Sequence, residues 1–203
     1  GYALWNASTD TLLGALRSAS GHGLGTLLYA VGKRLDPRAT SAVVPMLTND
    51  SATVRREAAE ALRRIGDSGA NPALRSAILR EADTDVLLAL YAAAAESRCD
   101  ACLPDLLALA FGSGTEAVRI AAGEAACALA PRELVAAAAN FSSNPLPREL
   151  VAAAERAAAV RDLGTRDSDF LRQVGRTGVW EVHHENGLVT ELFEDGTVLG
   201  LDH

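Results

Sequence analysis

Aromatic residues are scarce in this chain, at 4% of its 203 residues, although apolar residues as a whole make up 49%. The apolar content is therefore mostly alanine, leucine and valine, side chains that let helices approach each other closely. This composition favours a fold in which helices pack on helices.

Long apolar runs and an excess of basic residues are both lacking. No run approaches the roughly 20 apolar residues of a membrane-spanning helix, so we expect no membrane span. The formal net charge is −7 and the sequence pI is ≈ 5.1, which argues against nucleic acid as a partner, because phosphate backbones attract basic proteins. Residues 162–203 hold nine acidic residues and three arginines, so most of the negative charge lies at the C-terminal end.

Cysteine is limited to three residues, Cys99, Cys102 and Cys127. The first two form a CxxC, but a zinc site would need a second such pair or suitably spaced histidines. The favoured interpretation is three free thiols, buried or half-buried. A structural disulfide and a redox thiol at a helix start are the alternatives, and an oxidising compartment would favour a bridge from Cys99 or Cys102 to Cys127.

Catalytic patterns are lacking as well. His183, His184 and Glu185 are adjacent, but strand alternation would send His184 to the face opposite the other two, so we interpret them as solvated strand residues. No glycine-rich loop follows a strand, and no serine has the local sequence of a nucleophile elbow. We therefore expect no catalytic residue, no cofactor and no metal.

A repeat is the strongest feature that the sequence does contain. Val54, Val86, Val118 and Leu150 are each separated by 32 residues. Small or apolar residues recur at the fourth, seventh and eighth positions after each of these anchors, which predicts one buried helical face per segment.

A second helical stretch precedes each anchor, and short polar connectors supply caps between the two helices. These first helices are predicted at residues 42–47, 72–79, 104–111 and 132–139. A more degenerate pair is predicted upstream, over residues 11–19 and 24–35. One such hairpin cannot bury its own apolar face, whereas a stack of them can. We therefore predict an α-solenoid of four to five helical hairpins over residues 1–163.

The segment from Val54 to Asp67 reads VRREAAEALRRIGD and closely resembles the HEAT-like repeat named after phycobilisome lyases (PBS lyases), with its VR-x-x-AA-x-AL-x-x-IG-D pattern. The segment from Val118 resembles it too, and the resemblance covers about two thirds of the chain. Repeats of this type serve as scaffolds, adaptors, chromophore lyases and occasional enzymes. HEAT-like hydroxylases carry His-Glu pairs, where this chain has Arg56-Glu57 and Gly123-Glu124, so the resemblance does not extend to their iron ligands.

The C-terminal segment follows a different pattern. Residues 164–177 are predicted to form a connector with one short helix, Phe170 to Val174. Apolar and polar residues alternate in residues 178–203, and the alternation is interrupted by an Asn-Gly and an Asp-Gly dipeptide. This pattern predicts a three-stranded antiparallel meander. Two-residue turns would place Trp180 opposite Phe193 and Phe193 opposite Val198. The favoured role of the meander is a cap on the solenoid. One alternative is a contact surface that adds strands to a partner or pairs two copies in a homodimer, and another is a disordered or fragment-end tail.

The second helix of each hairpin lines the inner surface in repeats of this type, and its positions outside the core are the candidate protein-binding residues. Together with Trp180 and Phe193, these are Arg55, Arg56, Glu60, Arg63, Arg64, Leu87, Leu88, Tyr91, Arg119, Ile120 and Glu124. Arg55 and Arg119 have a structural alternative, because related repeats use an arginine there to bond the neighbouring unit. The basic patch beside the apolar one fits an acidic, amphipathic peptide.

The sequence therefore favours a non-catalytic protein-binding or scaffolding module with an unidentified protein partner. A chromophore-lyase-like or other cofactor-handling protein is one alternative, and a protein that assembles with itself through the meander is another. A HEAT-like DNA-repair module is disfavoured by the acidic charge. A cytoplasmic location is favoured, with periplasmic and secreted locations left open.

Overall fold

The computed structural model describes residues 7–19, 23–141 and 144–159, and the backbone of residues 179–183, 189–193 and 198–201. The chain divides into two compact units, Gly1–Glu155 and Arg156–His203. Among the described helices, none combines the length and the apolar character required to cross a membrane.

The first unit begins with two helical hairpins. The first hairpin contains α1 (Thr9–Ser18) and α2 (Gly23–Gly32). The second contains a 3-10 turn (Pro37–Ala39), the short helix α3 (Thr40–Val43), a further 3-10 segment (Val44–Thr48) and the long helix α4 (Ala52–Ile65).

Three more hairpins follow. The third contains a 3-10 turn (Ser68–Ala70), α5 (Asn71–Ile78) and α6 (Thr84–Glu96). The fourth contains a 3-10 turn (Asp100–Cys102), α7 (Leu103–Ala110) and α8 (Glu116–Leu129). The fifth contains α9 (Pro131–Asn140) and a further helix, α10, of which residues 148–155 lie in the first unit and which is described to residue 159. The predicted hairpins, including the upstream pair, are confirmed.

The 32-residue period corresponds to equivalent positions in the second helices. The three valine anchors are each the third residue of their helix, α4, α6 or α8. The fourth position after each anchor is fully buried in four successive repeats, at Ala58, Leu90, Ala122 and Ala154, all 0% exposed. The predicted buried face is confirmed, and it forms a continuous core from one hairpin to the next.

Polar side chains begin several helices as the connectors predict. The Ser8 hydroxyl accepts a hydrogen bond from a first-turn amide of α1. The Asp83 carboxylate accepts from two first-turn amides of α6, and the Thr115 hydroxyl accepts from one of α8. These bonds satisfy amide groups that a helix start otherwise leaves without a partner.

The second helices α2, α4, α6 and α8 pack side by side along the unit. Their small residues permit this close approach. A Cβ atom placed on Gly32 of α2 would lie 2.9 Å from the Cα atom of Ala61 in α4. Glycine at this position therefore sets how closely α2 and α4 pack.

The second unit contains a three-stranded antiparallel sheet in the order β1 (Val179–His183), β2 (Val189–Phe193) and β3 (Val198–Leu201). The predicted register is wrong by one residue. Trp180 pairs with Leu192, and Leu192 pairs with Val198, so Phe193 is not the partner of either residue. Glycine-containing dipeptides also suit connections longer than two residues, which shift the pairing in this way.

Several expectations fall outside the described residues. These are the short helix Phe170 to Val174, the connector at 164–177, both glycine dipeptides, His184 and Glu185, and the side chains of Trp180, His183 and Phe193. The predicted roles of the meander as a cap or as an interface remain predictions.

Candidate protein-binding surface

Two neighbouring pockets lie on a surface built only from second helices, which we call the second-helix surface. The first pocket has a volume of ≈ 550 Å³ and is lined by residues of α2, α4 and α6. The second has a volume of ≈ 370 Å³ and is lined by residues of α4, α6 and α8. Leu88 of α6 lines both pockets, so the two form adjoining parts of one surface.

The first pocket, here the charged pocket, contains two of the four predicted arginines of α4. Arg56, Glu60 and Arg64 line it, together with Tyr29 of α2. Arg64 forms an ion pair with Glu60 at 3.5 Å. Its guanidinium also lies 4.9 Å from the centre of the Tyr29 ring. Arg64 thus bridges α4 and α2, partly by attraction between the cation and the aromatic ring.

Other α4 charges also have partners. Arg63 contacts Glu60 at 3.1 Å. Arg56 pairs with Glu57 at 2.8 Å. The Arg56 side chain is still 45% exposed, so it remains accessible to a ligand.

The second pocket, here the alanine pocket, is lined mainly by small residues. Its apolar walls are formed by Leu88 and by four alanines, Ala92, Ala95, Ala121 and Ala125. The side chains of Arg63, Glu96 and Glu124 also line the pocket. Glu124 was among the sequence-predicted residues, and Glu96 was not. The pocket is therefore an apolar depression with carboxylates beside it.

Tyr91 does not lie on the free surface that the sequence predicted. Its residue surface is only 1% exposed, because α6 is packed between α4 and α8. Burial raises the pKa of its hydroxyl to about 12. Leu87 and Leu88 are half-buried, so the expected apolar patch is largely core, and only its edge reaches the pockets.

Arg55 is engaged with the following hairpin. Its guanidinium contacts the Glu81 carboxylate through two bonds of 2.7 Å and 2.9 Å, and it also donates to the carbonyls of Asn49 and Asp50. The hydrogen bond from Arg55 is the largest cause that lowers the pKa of Glu81 from 4.5 to about 2.

Arg119 makes a similar set of contacts two repeats later. It donates to the carbonyl of Ala110 at 3.1 Å, and to the carbonyls of Asn144 and Pro145 in the next hairpin at 2.6 Å and 2.9 Å. Since both guanidinium groups join neighbouring hairpins, we place Arg55 and Arg119 outside the candidate binding surface.

The sequence missed Tyr29, Asp85 and Glu96 as pocket residues. Asp85 lies three residues before Leu88 and Glu96 eight residues after it, so the helical period was the signal that could have found both. Tyr29 was harder to find, because α2 belongs to the degenerate first hairpin.

The cysteines correct the interpretation of three free thiols. Cys99 and Cys102 form a disulfide with a Cα–Cα distance of 5.3 Å, a separation typical of such bridges. Both residues are 0% exposed. The 3-10 turn at Asp100–Cys102 brings the two together, and neither bridges to Cys127, which is half-buried in α8.

Within residues 7–19, 23–141 and 144–159, no group of three or more histidine, cysteine or acidic side chains is placed to hold a metal ion. Residues 9–96 match the family model of the HEAT repeats. This part of the chain is therefore similar to HEAT repeats. The match covers α1 to α6. It does not identify a subtype, so the phycobilisome-lyase type stays a prediction. No curated protein matches the chain.

Proposed function

We propose that the first unit binds a segment of another protein on the second-helix surface and acts as a non-catalytic scaffold. The observation that carries this proposal is the pair of adjoining pockets that share Leu88. HEAT repeats commonly serve as protein-interaction or scaffold modules, and the matched repeats supply three of the four helices that line the pockets.

The chemistry of the surface supports a peptide ligand. The charged pocket offers the exposed Arg56 guanidinium, and the alanine pocket offers apolar walls beside carboxylates. A binding surface of this type combines apolar contact with a few polar groups that fix orientation. An extended or helical segment that crosses Leu88 would contact both pockets.

Selection of random linear peptides displayed on phage against the full chain tests the proposal. Ala92 is an exposed residue of the alanine pocket, so Ala92→Trp should fill the pocket and abolish binding of the selected peptides. Ala108 is also an exposed helical alanine, but it lies on the first helix α7. Ala108→Trp is therefore the matched control and should leave binding unchanged.

The expected result is a set of peptides whose affinity falls at least tenfold for Ala92→Trp and is retained by Ala108→Trp. Circular dichroism melting of both variants checks that each remains folded. Selected peptides that bind both variants equally, or the failure to select any peptide, would place the function of this unit elsewhere.

A further inference from the structure

The alanine pocket carries two negative charges that the fold does not use. Glu96 and Glu124 line the pocket and are exposed, and neither forms an ion pair within the described part of the chain. Arg63 lines the same pocket, but its guanidinium is engaged by Glu60 at 3.1 Å. The pocket therefore has an excess of negative charge beside apolar walls.

The pocket also has a buried polar group without a partner. The hydroxyl of Tyr91, a residue that lines the pocket, makes no hydrogen bond within the described residues. A buried hydroxyl that lacks a partner costs free energy. A ligand group that hydrogen-bonds this hydroxyl would recover that cost on binding.

Building on the proposed function, we infer that the bound protein segment inserts a lysine or arginine side chain into the alanine pocket. The methylene stem of such a side chain packs on Ala92, Ala95 and the alanines of α8, while its charged end meets Glu96 and Glu124. An N–H group of the same side chain donates to the Tyr91 oxygen.

Other side chains fit the pocket less well. An acidic side chain would be repelled by two carboxylates. A purely apolar side chain would fill the space between the alanines but would leave the Tyr91 hydroxyl without a partner. A long cationic side chain satisfies both features, so charge and hydrogen bonding favour the same ligand chemistry.

The selected peptides provide the probe. Their sequences should be enriched in lysine or arginine at one position, and replacing that residue with glutamine should weaken binding. The Glu96→Gln/Glu124→Gln variant should bind the same peptides about tenfold more weakly, from about threefold for each exposed charge pair. The control variant Glu133→Gln/Glu149→Gln removes two exposed charges elsewhere on the unit and should bind with unchanged affinity.

Reversing the charges of both the peptide and the pocket should restore binding. Loss of structure in the variant would not produce this gain in affinity. A peptide whose basic residue is replaced with glutamate should bind the wild-type chain poorly and recover affinity for Glu96→Lys/Glu124→Lys. Tyr91→Phe should weaken binding of the original peptide although the free chain stays at least as stable.

Two results separate this inference from the proposed function. Peptides that Ala92→Trp displaces but that show no basic preference and bind Glu96→Gln/Glu124→Gln normally would overturn the inference and leave the binding surface in place. Failure to find any peptide that Ala92→Trp displaces would overturn both.

Discussion

Glu81→Gln is the sharpest test of how neighbouring hairpins are joined. The Glu81 side chain is 8% exposed and accepts two bonds from Arg55. It also accepts hydrogen bonds from the backbone amides of Ala82 and Asp83, both at 3.0 Å. Glutamine keeps the size of the side chain but removes the negative charge that these hydrogen-bond donors stabilise.

The magnitude follows from the pKa of Glu81, which is lowered from 4.5 to about 2. A shift of this size corresponds to about 3 kcal/mol of stability. Solvent at this edge of the hairpins screens the pair, so we expect Glu81→Gln to lose about 1–2 kcal/mol at pH 7. Because the folded-state pKa is below the unfolded one, the contribution is complete above pH 4.5 and disappears as the pH falls towards about 2.

Urea unfolding followed by circular dichroism, at several values between pH 7 and pH 2, measures this difference. Asp105→Asn is the matched control, because Arg75 and Asp105 also join successive hairpins, but the Arg75 side chain is 46% exposed. The control should lose much less stability at pH 7. A Glu81→Gln variant as stable as the wild type at pH 7, or a deficit that persists at pH 2, would show that the ionised Glu81 does not stabilise the joined hairpins.

Three further predictions concern the core. Thiol titration of the denatured, unreduced chain should detect one thiol, and three thiols would contradict the bridge. Replacing both Cys99 and Cys102 with alanine should lower the unfolding free energy by about 2 kcal/mol. Gly32→Ala should destabilise the chain by about 1–3 kcal/mol. Gly14→Ala should stabilise it by about 0.5–1 kcal/mol, because outside the neighbouring helical backbone no described atom lies within 4 Å of the new Cβ. Thermal melting that shows the same sign for both variants would contradict the packing of α2 on α4. Tyr91→Phe should raise the unfolding free energy by about 1 kcal/mol, and a marked loss in urea unfolding would mean that the hydroxyl has a partner.

The sequence predicted the helical hairpins well because their signal is local and repeated. Burial at the fourth position after each anchor requires only the helical period and the 32-residue spacing, and Ala58 and Leu90 satisfy it fully. Helix starts were predictable for the same reason, since the capping side chain and the amides it accepts lie within three residues of each other.

Features that depend on the next hairpin were not predictable in the same way. Tyr91 has the helical position of a surface residue, but packing on both sides of α6 buries it. The partner of Arg55 lies 26 residues away, and no local pattern identifies it. The pockets combine residues of several helices, so the sequence supplied Arg56, Glu60 and Glu124 as candidates without their grouping.

The cysteine pairing and the strand register are local features, but the sequence predicted both incorrectly because each motif is compatible with several geometries. A CxxC is compatible with free thiols, a metal site or a disulfide, and only the backbone turn before α7 distinguishes them. The strand register depends on the length of each connection, and a difference of one residue places Leu192, rather than Phe193, opposite Trp180.

Photochemical crosslinking can locate the bound peptide on the surface of the first unit. A selected peptide that carries a diazirine side chain is irradiated with the full chain, and the attachment sites are mapped by mass spectrometry. We expect attachment to α2, α4, α6 and α8, at residues around the two pockets, and loss of attachment in Ala92→Trp. Attachment confined to the first helices α5 and α7, or to the C-terminal strands, would contradict this expectation.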